Sequence, residues 1–152
     1  MEHIDDFKRI LVALDDSERS ARVIARASSI AFAFSSDVHL ISVVEVPWTI
    51  ASEEELETPE MQLKGKKLID YQKKLIDEYL AGCNLNVKSQ VSYGDPANEI
   101  LDHADAIGAD LIVIGREELH GALRLFLGSI SEEVIKNARC SVMIYKSVLK
   151  PL

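Results

Sequence analysis

Gly115 and the pair Gly128-Ser129 are the residues of this chain whose types and spacing best suit the capture of an anion. Gly115 follows the apolar run Leu111-Ile112-Val113-Ile114, which reads as a buried strand ending where the backbone must turn and no side chain fits. Gly128-Ser129 precedes Ile130, Val134, Ile135 and Ala138 at helical spacing, and Ser129 with Glu132 gives the Ser-x-x-Glu pattern of a capping box. The pair therefore belongs at a helix N-terminus, where unpaired N–H groups and the positive end of the helix dipole favour a phosphate. Taken singly, Gly115 is better explained as a strand terminator and Gly128-Ser129 as a helix cap. Their joint spacing, a strand followed by a glycine-bearing loop and a helix start, outlines a phosphate cradle.

Other chemistry is sparse. No nucleophile elbow is present, and no Ser, His and Asp fall into a catalytic constellation, so a dedicated enzyme is not expected beyond slow hydrolysis of a bound nucleotide. His3, His39, His103 and His120 are scattered, and of these His120 alone falls in the glycine loop. Asp102-His103-x-Asp105 invites a metal reading, but on a helix these side chains diverge and none repeats at i, i+4, so no metal site is expected. Cys83 and Cys140 give neither zinc spacing nor a disulfide framework and read as small structural residues.

A net charge of −8 disfavours sequence-independent nucleic-acid binding, which needs a basic face. The same charge repels small anions at long range, so a phosphate site must rely on local N–H groups and local cations. No apolar run approaches the roughly 20 residues of a membrane span, and the acidic start Met1-Glu2-His3-Ile4-Asp5-Asp6 is unlike a signal peptide. A cytoplasmic protein without membrane contact is the expectation.

The elements that must position the cradle can be taken in order. Ile10 to Leu14 reads as a central strand, stopped by Asp15-Asp16-Ser17. Asp16 or Ser17 would cap a helix with an apolar stripe of Ala21, Ile24, Ala25, Ser28, Ala31 and Phe32. Val38 to Val46 is a second strand ended by Pro47, and residues 47–58, with Trp48 and the solvated run Glu53 to Glu57, form a loop with room for a helical turn. A helix from Pro59 carries Leu68, Tyr71, Leu75, Ile76, Tyr79 and Leu80 and stops near Gly82. Leu85 to Tyr93 alternates as an edge strand does. Asp95 is an N-cap with Pro96 at the first helical position, Ile100, Leu101, Ala104 and Ile107 face inward, and Gly108 closes that helix. The cradle region and a last strand from Cys140 to Tyr145 complete a β-α-β-α-β-α-β-α-β order.

That order predicts an α/β fold: a single doubly wound domain over 1–152, with a short tail at 147–152 and a five-stranded, mostly parallel sheet covered by helices on both faces. If the first and fourth strands are central neighbours, the reversal of strand order lies between Leu14-Asp15 and Ile114-Gly115, which is where such sheets bind ligands.

The chain resembles the universal stress protein family over nearly its whole length. Lys8 to Asp15 followed by Ser17, Tyr93-Gly94-Asp95-Pro96-Ala97 with Glu99-Ile100-Leu101, Ala109 to Gly115, and Gly128-Ser129-Ile130-Ser131 all match its pattern. Its nucleotide-binding members carry Gly-x2-Gly-x9-Gly-Ser/Thr after the fourth strand. Here Gly115, Gly128 and Ser129 fit, and Glu118 stands at the second glycine position.

The resemblance implies strand order 3-2-1-4-5 in an adenine nucleotide α-hydrolase-like fold. It implies ATP or AMP, with or without Mg2+, in the crevice between the first and fourth strands: base and ribose against Ala13, Asp15, Val43 and Ile114, phosphates on Gly115, the loop, Gly128 and Ser129. Glu118 opposes this, since a carboxylate about 4 Å from a phosphate costs about 1 kcal/mol even in water. Gly121 permits a rearranged loop, and Arg116, His120 and Arg124 supply cations. Family members pair through the last strand, so a homodimer through Val142-Met143-Ile144-Tyr145 is expected, with an unidentified signalling partner. The competing reading is a dimeric interaction module of the same fold that binds no nucleotide. A third is an adenylyl-transferring enzyme, for which the sequence supplies no nucleophile or base.

Overall fold

The computed structural model describes residues 6–47, 49–50, 52–116 and 128–146. The elements run β1 (Arg9–Ala13), α1 (Arg19–Phe34), β2 (Asp37–Glu45), α2 (Glu53–Leu56), α3 (Pro59–Tyr79), β3 (Val87–Gly94), α4 (Pro96–Ile107), β4 (Leu111–Arg116), α5 (Ser129–Asn137) and β5 (Ser141–Lys146). The strands form one sheet of order β3-β2-β1-β4-β5, and every neighbouring pair is parallel.

The central strands are apolar on both faces because each face meets helices. Ile10, Val12, Leu111 and Val113 pack against Val23, Ile24, Ala27 and Ala31 of α1 and Leu75 of α3. Leu11, Ile41, Ile112 and Ile114 pack against Ala97, Ile100 and Ala104 of α4 and Val134 of α5. β1 and β4 are direct neighbours, with Leu11 opposite Ile112 and Ala13 opposite Ile114. At the amino end of that seam the Arg9 N–H donates to Asp110 Oδ2 at 2.9 Å, and the Asp110 N–H donates to the Arg9 carbonyl at 2.9 Å.

The caps predicted for α4 form as expected, and α3 has an N-cap that was not predicted. Thr58 accepts from the Met61 N–H, Asp95 accepts from the Asn98 N–H at 3.0 Å, and Gly108 ends α4 in the left-handed region at φ 63°. A buried glutamine fixes α3 to the sheet: Gln72 Nε2 donates to Ser42 Oγ and to the Gln90 carbonyl, each at 2.9 Å. Residues 53–56 make the single helical turn for which the loop had room, and Glu53 to Glu55 are exposed. Trp48 and the tail 147–152 lie outside the described residues.

Three expectations are corrected. The buried stripe of α1 is Ser20, Val23, Ile24, Ala27, Ser28 and Ala31, so the predicted face is rotated and Phe32 is 47% exposed. Neither Asp16 nor Ser17 caps α1, which starts after Glu18 without a side-chain cap. On α5, Val134 is buried as expected, while Ile130 and Ile135 face solvent and Ser131 takes the inner position.

Candidate functional site

β1 stops at Ala13 while the chain turns into α1, and β4 runs on alongside it to Arg116. Between their carboxyl ends, closed by the start of α5, lies a cavity of about 370 Å³. Ala13, Val43 and Ile114 supply apolar wall, Asp15 lines the rim from the β1–α1 connection, and Gly115, Gly128 and Ser129 line it from β4 and α5. All seven of these sequence-predicted residues are thus brought to one place. Arg116 is the last residue of β4, opposite Lys146, and lies outside the cavity lining. His120, Gly121 and Arg124, with Glu117 and Glu118, lie outside the described residues.

Gly115 serves a different purpose from the one expected. It is not a turn but a strand residue, in register with Tyr145 of β5. What demands a glycine is a neighbour: a Cβ here would sit 2.9 Å from Val23 Cγ2 of α1. The close approach of helix to strand leaves no room for a side chain where Gly115 lines the cavity.

The start of α5 also departs from expectation. Gly128 is the N-cap, with extended backbone at φ −63° and ψ 156°, and Ser129 is the first helical residue, so the Ser129–Glu132 capping box is not formed. The Glu132 N–H instead closes the first turn on the Gly128 carbonyl at 3.0 Å. A glycine N-cap has no side chain to take the first-turn N–H groups, which leaves donors and the dipole's positive end at the cavity.

Asp15 is held by its own connection. Its Oδ1 accepts from the Ser17 N–H at 2.9 Å, from the Ser17 hydroxyl at 2.5 Å, and lies 3.0 Å from Ser20 Oγ. Ser20, which is buried, also accepts from the Asp15 N–H at 2.9 Å. Burial alone raises the carboxyl pKa. The Ser17 and Ser20 hydrogen bonds and the Arg19 charge outweigh it, so the net shift is below the ordinary value and Asp15 is ionised at neutral pH. Oδ2 meets Arg19 Nη2 at 3.3 Å. One carboxylate oxygen is therefore saturated by the loop, and the other faces outward beneath a longer, exposed ion pair.

Sequence reasoning missed Arg19, Ser20 and Glu45, which also line the cavity. Arg19 and Ser20 are four and five residues beyond Asp15 in the first turn of α1, a spacing that returns them to the strand end. Glu45 had no local signal, since its place depends on how far β2 extends. Behind the connection, the Tyr71 hydroxyl of α3 donates to the Ser17 carbonyl at 3.0 Å.

Among the described residues no group of three His, Cys, Asp or Glu side chains could hold a metal ion, and no helix is long and apolar enough to cross a membrane. Cys83 and Cys140 are free and half-buried.

The parallel sheet, with a cavity where the strand order reverses, defines a doubly wound α/β protein. Residues 6–146 match the sequence profile of the universal stress protein family, and the chain belongs to that family. It is 34% identical to a universal stress protein of Methanocaldococcus jannaschii, covering 95% of this chain and 85% of that one. It is 28% identical to the universal stress protein YxiE of Bacillus subtilis, covering 92% and 99%. Among solved structures, UspA from Lactobacillus plantarum superposes with a TM-score of 0.78 at 22% identity, covering 91% of this chain and 97% of that one. A universal stress protein in complex with cAMP gives 0.71 at 21% identity over 91% and 96%, and one from Archaeoglobus fulgidus in complex with dAMP gives 0.65 at 23% identity over 91% and 97%. At these identities the structures establish a shared fold.

Proposed function

We propose that this protein is a stress-response regulator that binds an adenine nucleotide, ATP or AMP, in the crevice between β1 and β4. The observation that carries the reading is the meeting of the Asp15 carboxylate and the uncapped start of α5 in one cavity. Base and ribose lie against Ala13, Val43 and Ile114, with Asp15 Oδ2 accepting from a ribose or adenine donor as Arg19 moves aside. The phosphates take the Gly115 backbone, the Gly128 and Ser129 N–H groups and the Ser129 hydroxyl, with Mg2+ accompanying a triphosphate. His120, Gly121 and Arg124, argued from sequence, serve the phosphates, and Arg116 adds a cation at the end of β4. The cavity volume falls within the roughly 300–1,000 Å³ of small-molecule sites. Related folds determined with cAMP and dAMP support an adenine ligand.

In this reading the protein catalyses no reaction. It acts in the cytoplasm as a single domain paired through Val142 to Tyr145, and ligand state alters its affinity for a signalling partner. The deciding experiment is acid release of bound small molecules from the purified protein with mass spectrometric detection, followed by thermal unfolding with millimolar ATP, AMP and cAMP. An adenine nucleotide in the supernatant or a raised melting temperature supports the proposal. Neither result, together with a dimer, leaves the interaction module that binds no nucleotide.

A further inference from the structure

A second recess, of about 550 Å³, lies at the far end of α4 from the crevice. Pro96, at the start of α4, lines the crevice, whereas His103 and Ile107, in its last turns, line the recess. β2 contributes His39 and β3 contributes Lys88 and Gln90. In register, His39 stands between Leu11 and Lys88, so its side chain leaves the sheet on the face that α4 covers. The two imidazoles, from elements far apart in sequence, face one another with ring centroids 6.0 Å apart and planes inclined at 58°.

Among the described residues neither imidazole has a hydrogen-bond partner. Burial lowers the pKa of both rings, Lys88 and Arg9 lower that of His39 further against Asp37, and His39 lowers that of His103. Neutral imidazoles carry the lone pairs that a metal ion needs.

We propose that His39 and His103 form a two-histidine site for a borderline transition-metal ion, Zn2+, Ni2+ or Cu2+, whose remaining positions are filled by water. Metal–nitrogen bonds of about 2.0–2.1 Å to two imidazoles set ring centres roughly 5–6.5 Å apart, the range in which this pair stands. Nitrogen ligands without a carboxylate cluster disfavour Mg2+ and Ca2+. Asp37 lies two residues before His39 on the same strand face and partly offsets the Lys88 charge. Asp102 and Asp105, which flank His103 in sequence, play no part in this site. The histidine that sequence spacing had set aside gains its partner from β2, across the layer.

Isothermal titration of the full chain with Zn2+ alone, and then with Ni2+, tests the site. One ion per chain is expected, with a dissociation constant on the order of 10 μM. His39→Gln and His103→Gln should each weaken binding at least about tenfold, and the double variant little more than either. Because a variant can fail by misfolding, sub-stoichiometric Cu2+ is added to wild-type protein in parallel, where it should broaden the ring-proton resonances of His39 and His103 first. The site is overturned by any of four results: no saturable binding at millimolar Zn2+, one ion per two chains with dimer formation, loss of binding in His3→Gln or His120→Gln instead, or broadening elsewhere.

Discussion

Val23 Cγ2 of α1 stands 2.9 Å from the point a Cβ on Gly115 would occupy. Val23 is 2% exposed and β-branched, so it has little room to turn away. Gly115→Ala should therefore destabilise the protein by about 1–3 kcal/mol, as overpacking does. Combining it with Val23→Ala should recover part of that loss, giving a coupling of about 1 kcal/mol in a denaturant-unfolding cycle. Additive effects would mean that the glycine serves something other than this contact.

The Ser20 hydroxyl takes the Asp15 N–H and lies against its carboxylate. Ser20→Ala should cost about 1 kcal/mol and raise the Asp15 pKa, measurable by NMR titration. The sign with pH follows from linkage. Asp15 titrates below its ordinary 3.8 when folded, so its contribution is present above that value and is lost as pH falls through the folded one. The stability gap between wild type and Ser20→Ala should be largest near neutral pH and shrink in strong acid. A gap that widens with acid would refute the assignment.

Gln72 is 3% exposed and ties α3 to both β2 and β3. Gln72→Ala should cost about 2–4 kcal/mol by combining a cavity with unpaired polar groups. Gln72→Met, which keeps the volume, should cost less. Equal losses in urea unfolding would show that the hydrogen bonds dominate.

Nucleotide affinity should respond to two carboxylates in opposite directions. Asp15→Asn should weaken binding by roughly 10- to 150-fold, by removing an anionic acceptor worth roughly 1.5–3 kcal/mol. Glu118→Gly, argued from sequence alone, should strengthen it, by roughly fivefold for a relief of about 1 kcal/mol. Fluorescent adenine nucleotides read both changes, and a weaker Glu118→Gly protein would show that the carboxylate assists the site.

β5 is an edge strand with Val142, Met143, Ile144 and Tyr145 each half-buried. Light scattering at micromolar concentration should report a dimer, and Ile144→Lys should shift it towards monomer. A wild-type monomer across that range would remove the proposed pairing.

The sheet was readable because strands buried on both faces leave continuous apolar runs, and the α4 boundaries because Asp95, Pro96 and Gly108 act locally. The phase of α1 was harder. Ser20 occupies a core position with its hydroxyl satisfied on the Asp15 carbonyl, so its polarity hid where the stripe begins. The reason for Gly115 was not readable at all, since Val23 reaches it only through packing. Of the crevice, the residues at strand ends were legible. Glu45 and Arg19 required knowledge of where three elements stop, and the histidine pair required knowledge of which helix covers which strand.

The Arg9–Asp110 link closes a seam between residues 101 positions apart. Joining such distant segments has a loop-closure entropy that nothing local repays, so it belongs among the late events of folding. The crevice straddles this seam, which means that a growing chain has no ligand pocket until β4 has emerged and docked beside β1. A molecule held in the crevice would in that sense report that β1, β2, β4 and the start of α5 have been assembled side by side.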